Sequence, residues 1–315
     1  MVDAVLAVYR FGGAATRAEL LGAGVARRAA ERAVRDGRLL TGDGAFWAPD
    51  ADHGLVLACR TRSWTTCVSA LARWSVPLLV EPTRPHLATT RARRDRAASW
   101  HRLREAAPGD RGDDPRTRSV LPLTAVVHAL RCLPRRDGLV VADASLRSGL
   151  VTRRELDRAL PAHDPRGTRW VLKQADHRSE SVLESALRYE LITAGLTGFR
   201  PQAHLRGVGR VDLLLDGWLV LEADGFEHHS GKADFLLDRE RLAGAAQSGH
   251  VTLRFGYQAI VHHPGAVVRC IQQTRRQFAS EHARTTLMVA GPIRAGQWTS
   301  ERERGAQAPG AVRTA

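Results

Sequence analysis

Lysine is almost absent from this chain: of 47 basic residues, all but Lys173 and Lys232 are arginine. Cysteine is scarce as well. Cys59, Cys67, Cys132 and Cys270 are scattered, with no Cys-x-x-Cys pair and no dense framework. That pattern argues for reduced thiols in the cytoplasm and against a Cys-bound zinc. No apolar run approaches a membrane span, and Met1-Val2-Asp3 lacks the basic-then-apolar order of a signal peptide. A soluble, cytoplasmic chain with no membrane partner is therefore expected. Aromatic residues are few, yet an apolar content of 43% over 315 residues is enough for two or three ordinary cores.

What is present in excess is positive charge. A formal net charge of +14 points to a polyanionic partner such as nucleic acid. Arginine dominance with abundant alanine and glycine also follows from GC-rich codon usage.

Punctuation along the chain predicts four regions of an α/β (α+β overall) protein. Residues 1–50 read as three helices and a tight hairpin. Gly12-Gly13 stop the first helix, Thr16-Arg-Ala-Glu19 has the form of a capping box, and Gly37 ends the third helix. Gly42-Asp43-Gly44 then turns a two-stranded wing. Arg28, Arg32 and Arg35 share one side of the third helix, the layout of a winged helix-turn-helix that contacts DNA; a solvated helix face or a protein-binding module is the alternative. Residues 51–175 form a connecting region, with a strand expected at 55–59, a helix at 63–74, a loop within 91–118, and helices at 121–133, 138–148 and from Thr152 to Leu160. Residues 176–278 carry the chemistry. From 279 to 315 the composition predicts a disordered tail.

In residues 176–278 an amphipathic helix holds Glu184 and ends at Gly195. Two β-rich runs, 208–215 and 218–223, carry Asp212, Glu222 and then Asp224 among valines and leucines. Unpaired carboxylates are costly in a buried strand, so this arrangement asks for a cation, and an all-oxygen ligand set suits Mg²⁺ or Mn²⁺. The turn decides whether the acids share a face. A two-residue loop at Asp216-Gly217 would set Asp212 against Leu221, facing away from Glu222. A three-residue loop, Leu215-Asp216-Gly217, would pair Asp212 with Val220, diagonal to Glu222 on one face, and is the expected form. Glu184 also fits a capping box with Ser181 and an i,i+4 pair with Arg188. Asp238 and Arg241 read as surface or site-bracing ion-pair members, and His262-His263-Pro264 as the start of a helix.

Gly209-Arg-Val-Asp212, Glu222-Ala-Asp224-Gly225, His228-His229, Asp238-Arg-Glu-Arg241 and Leu253-Arg254-Phe255, in this order, resemble a very-short-patch-repair-like endonuclease domain of the PD-(D/E)XK superfamily. The match spans about residues 179–277. The preceding two thirds, with the Thr16 capping box and the stretch from Ala142-Asp143 to Thr152, resembles the antitoxin of AbiE-type abortive-infection systems. The first resemblance implies a restriction-endonuclease-like domain with a central mixed sheet. Asp212 and Glu222 would be metal ligands, with Glu184 supplied by the preceding helix. Asp224 stands where many members have lysine, and His228 or His229 would be a general acid or base. Lys232 and Arg254 would supply positive charge toward DNA. The zinc-binding cysteines of the repair enzymes have no counterpart. The second resemblance implies a toxin as a protein partner, of unknown identity. Together they imply a metal-dependent endonuclease acting on double-stranded DNA in phage defence or repair, or else an antitoxin-like transcriptional repressor with an inactive nuclease-like domain.

Overall fold

Asp3 opens the first helix: its carboxylate accepts the Val5 and Leu6 N–H groups at 2.8 and 3.0 Å, and α1 (Ala4–Arg10) follows. The computed structural model describes residues 2–285 except 91–92, 94–95, 104–111, 113, 115, 163, 165 and 226–231, and the side chains of these residues other than 232–239 and 279–285. Its contacts divide the chain into two compact units, Met1–Tyr189 and Glu190–Ala315. Both are mixtures of helices and small sheets, the α+β class expected. No helix among the described residues is long and apolar enough to cross a membrane.

The N-terminal unit begins with the three helices and the hairpin expected of residues 1–50. After α1 come β1 (Ala14–Thr16), α2 (Arg17–Gly22), α3 (Arg27–Arg35) and the hairpin β2 (Leu40–Gly42) and β3 (Ala45–Trp47). Thr16 and Glu19 cap α2 reciprocally, as their spacing predicts. Asp43 and Gly44 have φ of 51° and 76°, the left-handed pair that a two-residue hairpin turn requires. The wing tip is held from behind: Arg60 reaches Asp43 at 2.7 Å and lies over the Trp47 ring. Strand β1, which the sequence pattern did not reveal, pairs with the other side of β3. Arg28, Arg32 and Arg35 are exposed on α3, and Arg27 pairs with Glu31 at 2.9 Å.

Residues 55–59 are helical, not a strand. Asp52 caps Leu55 at 2.7 Å and α4 (His53–Thr61) buries every residue from Gly54 to Cys59. A short run that is apolar on all sides carries no period to distinguish the two structures. The helix expected over 63–74 is shorter: β4 (Trp64–Thr65), α5 (Cys67–Leu71) and a 3₁₀ turn at Ala72–Trp74. Strands β5 (His86–Thr89) and β6 (Ser99–Arg102) complete a sheet of order β4-β5-β6, and α6 (Pro122–Cys132), α7 (Arg135–Arg147), α8 (Arg153–Ala159) and α9 (Thr168–Gln174) cover its core. A part-buried ion pair, Arg118 with Glu19 at 2.6 Å, ties this region to the capping box of α2.

Helix α10 (Val182–Thr193) contains the boundary between the units. A buried ion pair near its middle fixes it. Arg188 meets Asp143 of α7 at 2.5 Å, with side-chain exposures of 4% and 1%. Asp143 also accepts from the Asp176 N–H and the Ser185 hydroxyl, both at 2.7 Å, and Arg188 donates to the Gln174 carbonyl.

In the C-terminal unit β7 (Phe199–Leu205), β8 (Gly209–Leu215) and β9 (Leu219–Asp224) form an antiparallel meander. Helix α11 (Lys232–Gln247) then leads to β10 (Val251–Gly256), which lies parallel to β9, giving the order β10-β9-β8-β7. A π-helical turn, Gln258–His262, precedes α12 (Pro264–Thr285), which starts at Pro264 as expected. The tail expected from 279 therefore begins as helix; 286–315 lie outside the described residues. Leu213, Leu215, Leu219 and Leu221 are fully buried on one sheet face, while Leu214 and Val220 on the other pack with Ala245 of α11. Gly244 makes that approach possible, since a Cβ there would come within 2.5 Å of the Gly207 carbonyl oxygen.

Removing one member of a buried ion pair strands the other charge. Asp143→Ala is expected to destabilise the N-terminal unit by about 3–5 kcal/mol, measured as a lowered denaturation midpoint in urea. An unchanged midpoint would mean that the pair contributes nothing net.

Candidate active site

The β8–β9 turn has the expected length and a different register. Leu215 pairs with Leu219, so the loop is Asp216-Gly217-Trp218, one residue later than predicted. Leu215 is fully buried and stays in the ladder, and the left-handed positions fall to Asp216 (φ 53°) and Gly217 (φ 80°). Arg275 of α12 clamps the Asp216 carboxylate at 2.6 Å. The consequence is that Asp212 lies opposite Glu222, the next step beyond Leu213–Leu221, where the sequence reading had it opposite Val220. The two acids share one face.

The same registers define a row across the whole sheet. Gln202 of β7 stands at the step opposite Asp212, between the pairs Pro201–Leu213 and Ala203–Val211; Arg254 of β10 pairs with Glu222. Gln202 has φ 52°, a left-handed residue inside a strand. Gln202, Asp212, Glu222 and Arg254 thus make one polar row in a sheet whose neighbouring positions are mostly apolar. Asp224, two residues beyond Glu222, is exposed at the end of β9 and close enough to Asp212 for their charges to interact.

Burial sets the electrostatics. It pushes the Glu222 carboxyl up to about 8, with the adjacent Asp212 charge adding to the effect and Arg241 and Arg254 opposing it. Asp212 is also raised, first by burial, although its Oδ2 accepts the Ala223 N–H at 2.9 Å and Glu222 donates to it. Arg241 of α11 approaches Glu222 at 3.6 Å and is held by the Val208 and Arg210 carbonyls. It braces the site, one of the two roles expected for it. A facing carboxylate pair of this kind needs a proton or a cation, and its donors are hard oxygens that fit Mg²⁺ or Mn²⁺.

Other expected site residues fall differently. Glu184 is buried at the start of α10, where its carboxylate accepts the Glu180 N–H at 2.9 Å and its own N–H donates to Ser181 Oγ at 3.1 Å. It performs the helix-start role that its spacing from Ser181 allowed, and it belongs to the N-terminal unit, whereas Asp212 and Glu222 belong to the C-terminal one. His228 and His229 lie outside the described residues, as do the side chains of Lys232, which begins α11, and Asp238. Gln202 was missed because Pro201 obscured β7, which the sequence reading did not include. Compared with known proteins, the chain matches no family model, and no curated protein matches it either.

Glu222 binds its proton more tightly in the folded chain, about 8 against the ordinary 4.5. The stability from that protonation is complete below the ordinary value and is lost as pH rises through the folded one. In chelator, the melting temperature of the C-terminal unit is expected to fall between about pH 4.5 and pH 8. Glu222→Gln should flatten this decline, and Mg²⁺ should reduce it in the unsubstituted chain. Identical pH profiles for the two proteins would contradict the raised carboxyl.

Proposed function

We propose that this chain is a cytoplasmic, DNA-binding endonuclease that depends on Mg²⁺ or Mn²⁺ and hydrolyses phosphodiesters of double-stranded DNA. The observation that carries the reading is the opposition of Asp212 and Glu222 on one face of the C-terminal sheet. The sheet around it, with β9 parallel to β10 and the other strands antiparallel, agrees with the central mixed sheet that the resemblance implies. Asp212 and Glu222 would hold the ion. When bound it supplies Lewis-acid polarisation of the phosphate and a water of lowered pKa. Arg254, exposed beside Glu222, offers its guanidinium to a phosphate oxygen, and Arg241 favours the ionised form of Glu222 that binding requires. His228 or His229 is proposed to protonate the leaving oxygen. Lys232 is proposed to contact the DNA backbone. Arg28, Arg32 and Arg35 of the winged helix would supply further DNA contact.

A second reading, an antitoxin-like repressor with an inactive nuclease-like domain and a toxin partner, is favoured by one specific observation: the Glu184 carboxylate is engaged at its own helix start.

Plasmid nicking in Mg²⁺ separates the two readings. The enzyme reading expects nicking that disappears in Asp212→Ala and in Glu222→Gln while DNA affinity is kept. Sequence-selective binding without cleavage in any divalent metal would favour the repressor. For the winged helix, replacing Arg28, Arg32 and Arg35 together by alanine should lower the slope of log affinity against log salt by about 0.9 for each arginine that contacts a phosphate. An unchanged slope would remove α3 from the interface.

A further inference from the structure

Four ligand-type side chains that the proposed nuclease does not use meet in the N-terminal unit. Cys67 begins α5, His86 begins β5, His101 lies in β6 and Cys132 ends α6. One donor atom from each, two sulfurs and two imidazole nitrogens, lies within 4.8 Å of the other three. Cys132 Sγ is 3.8 Å from His86 Nδ1, and that nitrogen is 3.1 Å from His101 Nε2. In a tetrahedral zinc site, with Zn–S of about 2.3 Å and Zn–N of about 2.0–2.1 Å, neighbouring donor atoms stand roughly 3.3–3.8 Å apart. The measured spacings are already on that scale.

Two further features point the same way. Cys67 has φ 51°, a left-handed conformation that side-chain-bearing residues rarely adopt, and it holds this while its sulfur sits among the three other donors. Behind His101 a second layer is in place: the His128 ring stacks on it at 5.0 Å, and His128 Nδ1 hydrogen-bonds Thr66 Oγ1, the residue before Cys67, at 2.8 Å. The sheet aligns the two imidazoles, because β5 and β6 are parallel with Ala88 beside His101, so His86 and His101 project from one face.

We propose that Cys67, His86, His101 and Cys132 form a structural zinc site. Two thiolates and two neutral imidazoles suit a borderline-soft ion, and four protein ligands leave no open position for catalysis. The thiolate charges offset the ion's, so the centre is close to neutral at the edge of the core. The proposal departs from the expectation that scattered cysteines argue against a Cys-bound zinc: the ligands come from four separate elements, so no short Cys-x-x-Cys spacing marks them. The site is independent of the acidic pair in chemistry and in position along the chain.

The test is metal analysis of the full chain, purified in reducing buffer without a metal-affinity step. One zinc per chain is expected, at the same level in Asp212→Ala. Cobalt added to chelator-stripped protein should give the absorption of a tetrahedral centre with thiolate-to-cobalt charge transfer. Cys132 is exposed, so Cys132→Ser should fold; it is expected to weaken zinc binding at least tenfold and to reduce the charge-transfer band, whereas His128→Ala should keep the metal. Circular dichroism verifies that each variant is folded, and the cobalt spectrum of the unsubstituted chain decides the matter if a variant is not. A folded, zinc-free chain that takes up no cobalt would overturn the proposal. So would zinc retained undiminished in both Cys132→Ser and His101→Ala, or a Cys67–Cys132 disulfide as the form found in reducing buffer.

Discussion

Two carboxylates facing each other across neighbouring strands repel, and partial burial deprives them of the water that would screen them. The surroundings of Asp212 and Glu222 answer this constraint from several directions. The Ala223 N–H donates to Asp212, Arg241 reaches over from α11, and Arg254 stands beside Glu222 in the ladder. What remains uncompensated appears as the elevated Glu222 carboxyl. The arrangement depends on a single turn. Had Leu215 entered the loop, Asp212 would sit opposite Val220; because Leu215 is buried, the strand runs one residue further and the acids meet directly.

Local chemistry was the legible part of this sequence. Thr16 with Glu19, the Asp43-Gly44 turn and Pro264 each declare themselves within a few residues, and each sits in the structure where its spacing indicates. The acid-bearing strands could be read for the same reason, since a carboxylate among valines and leucines is conspicuous. Features that depend on tertiary context were not legible. The run from Gly54 to Cys59 is buried on every side and so has no period, β7 is disguised by Pro201, and Cys67 and Cys132 are brought together only by the packing of α5 on α6. Glu184 shows the converse difficulty. One spacing served two roles, and the described contacts at the helix start are those of the capping role.

The arginine excess also changes meaning once partners are visible. Arg153 donates to the Leu172 and Ala175 carbonyls, Arg188 to the Gln174 carbonyl, and Arg169 to carbonyls at the end of α8. These guanidiniums add hydrogen bonds to carbonyls near helix ends, a task that suits a planar, multi-donor cation better than lysine. Part of the formal +14 therefore serves internal architecture and is not all available to a polyanion. Arg28, Arg32 and Arg35 of α3, by contrast, lie exposed on the surface.

The wing has a mechanical side. Its turn carries the acidic Asp43, which would otherwise face any polyanion as a like charge, but Arg60 neutralises it and stacks on Trp47 from the helix that follows. Arg60 thus ties both the tip and the strand of the hairpin to α4. If this hairpin contacts DNA as proposed, a braced wing leaves more of any adjustment in shape to the partner.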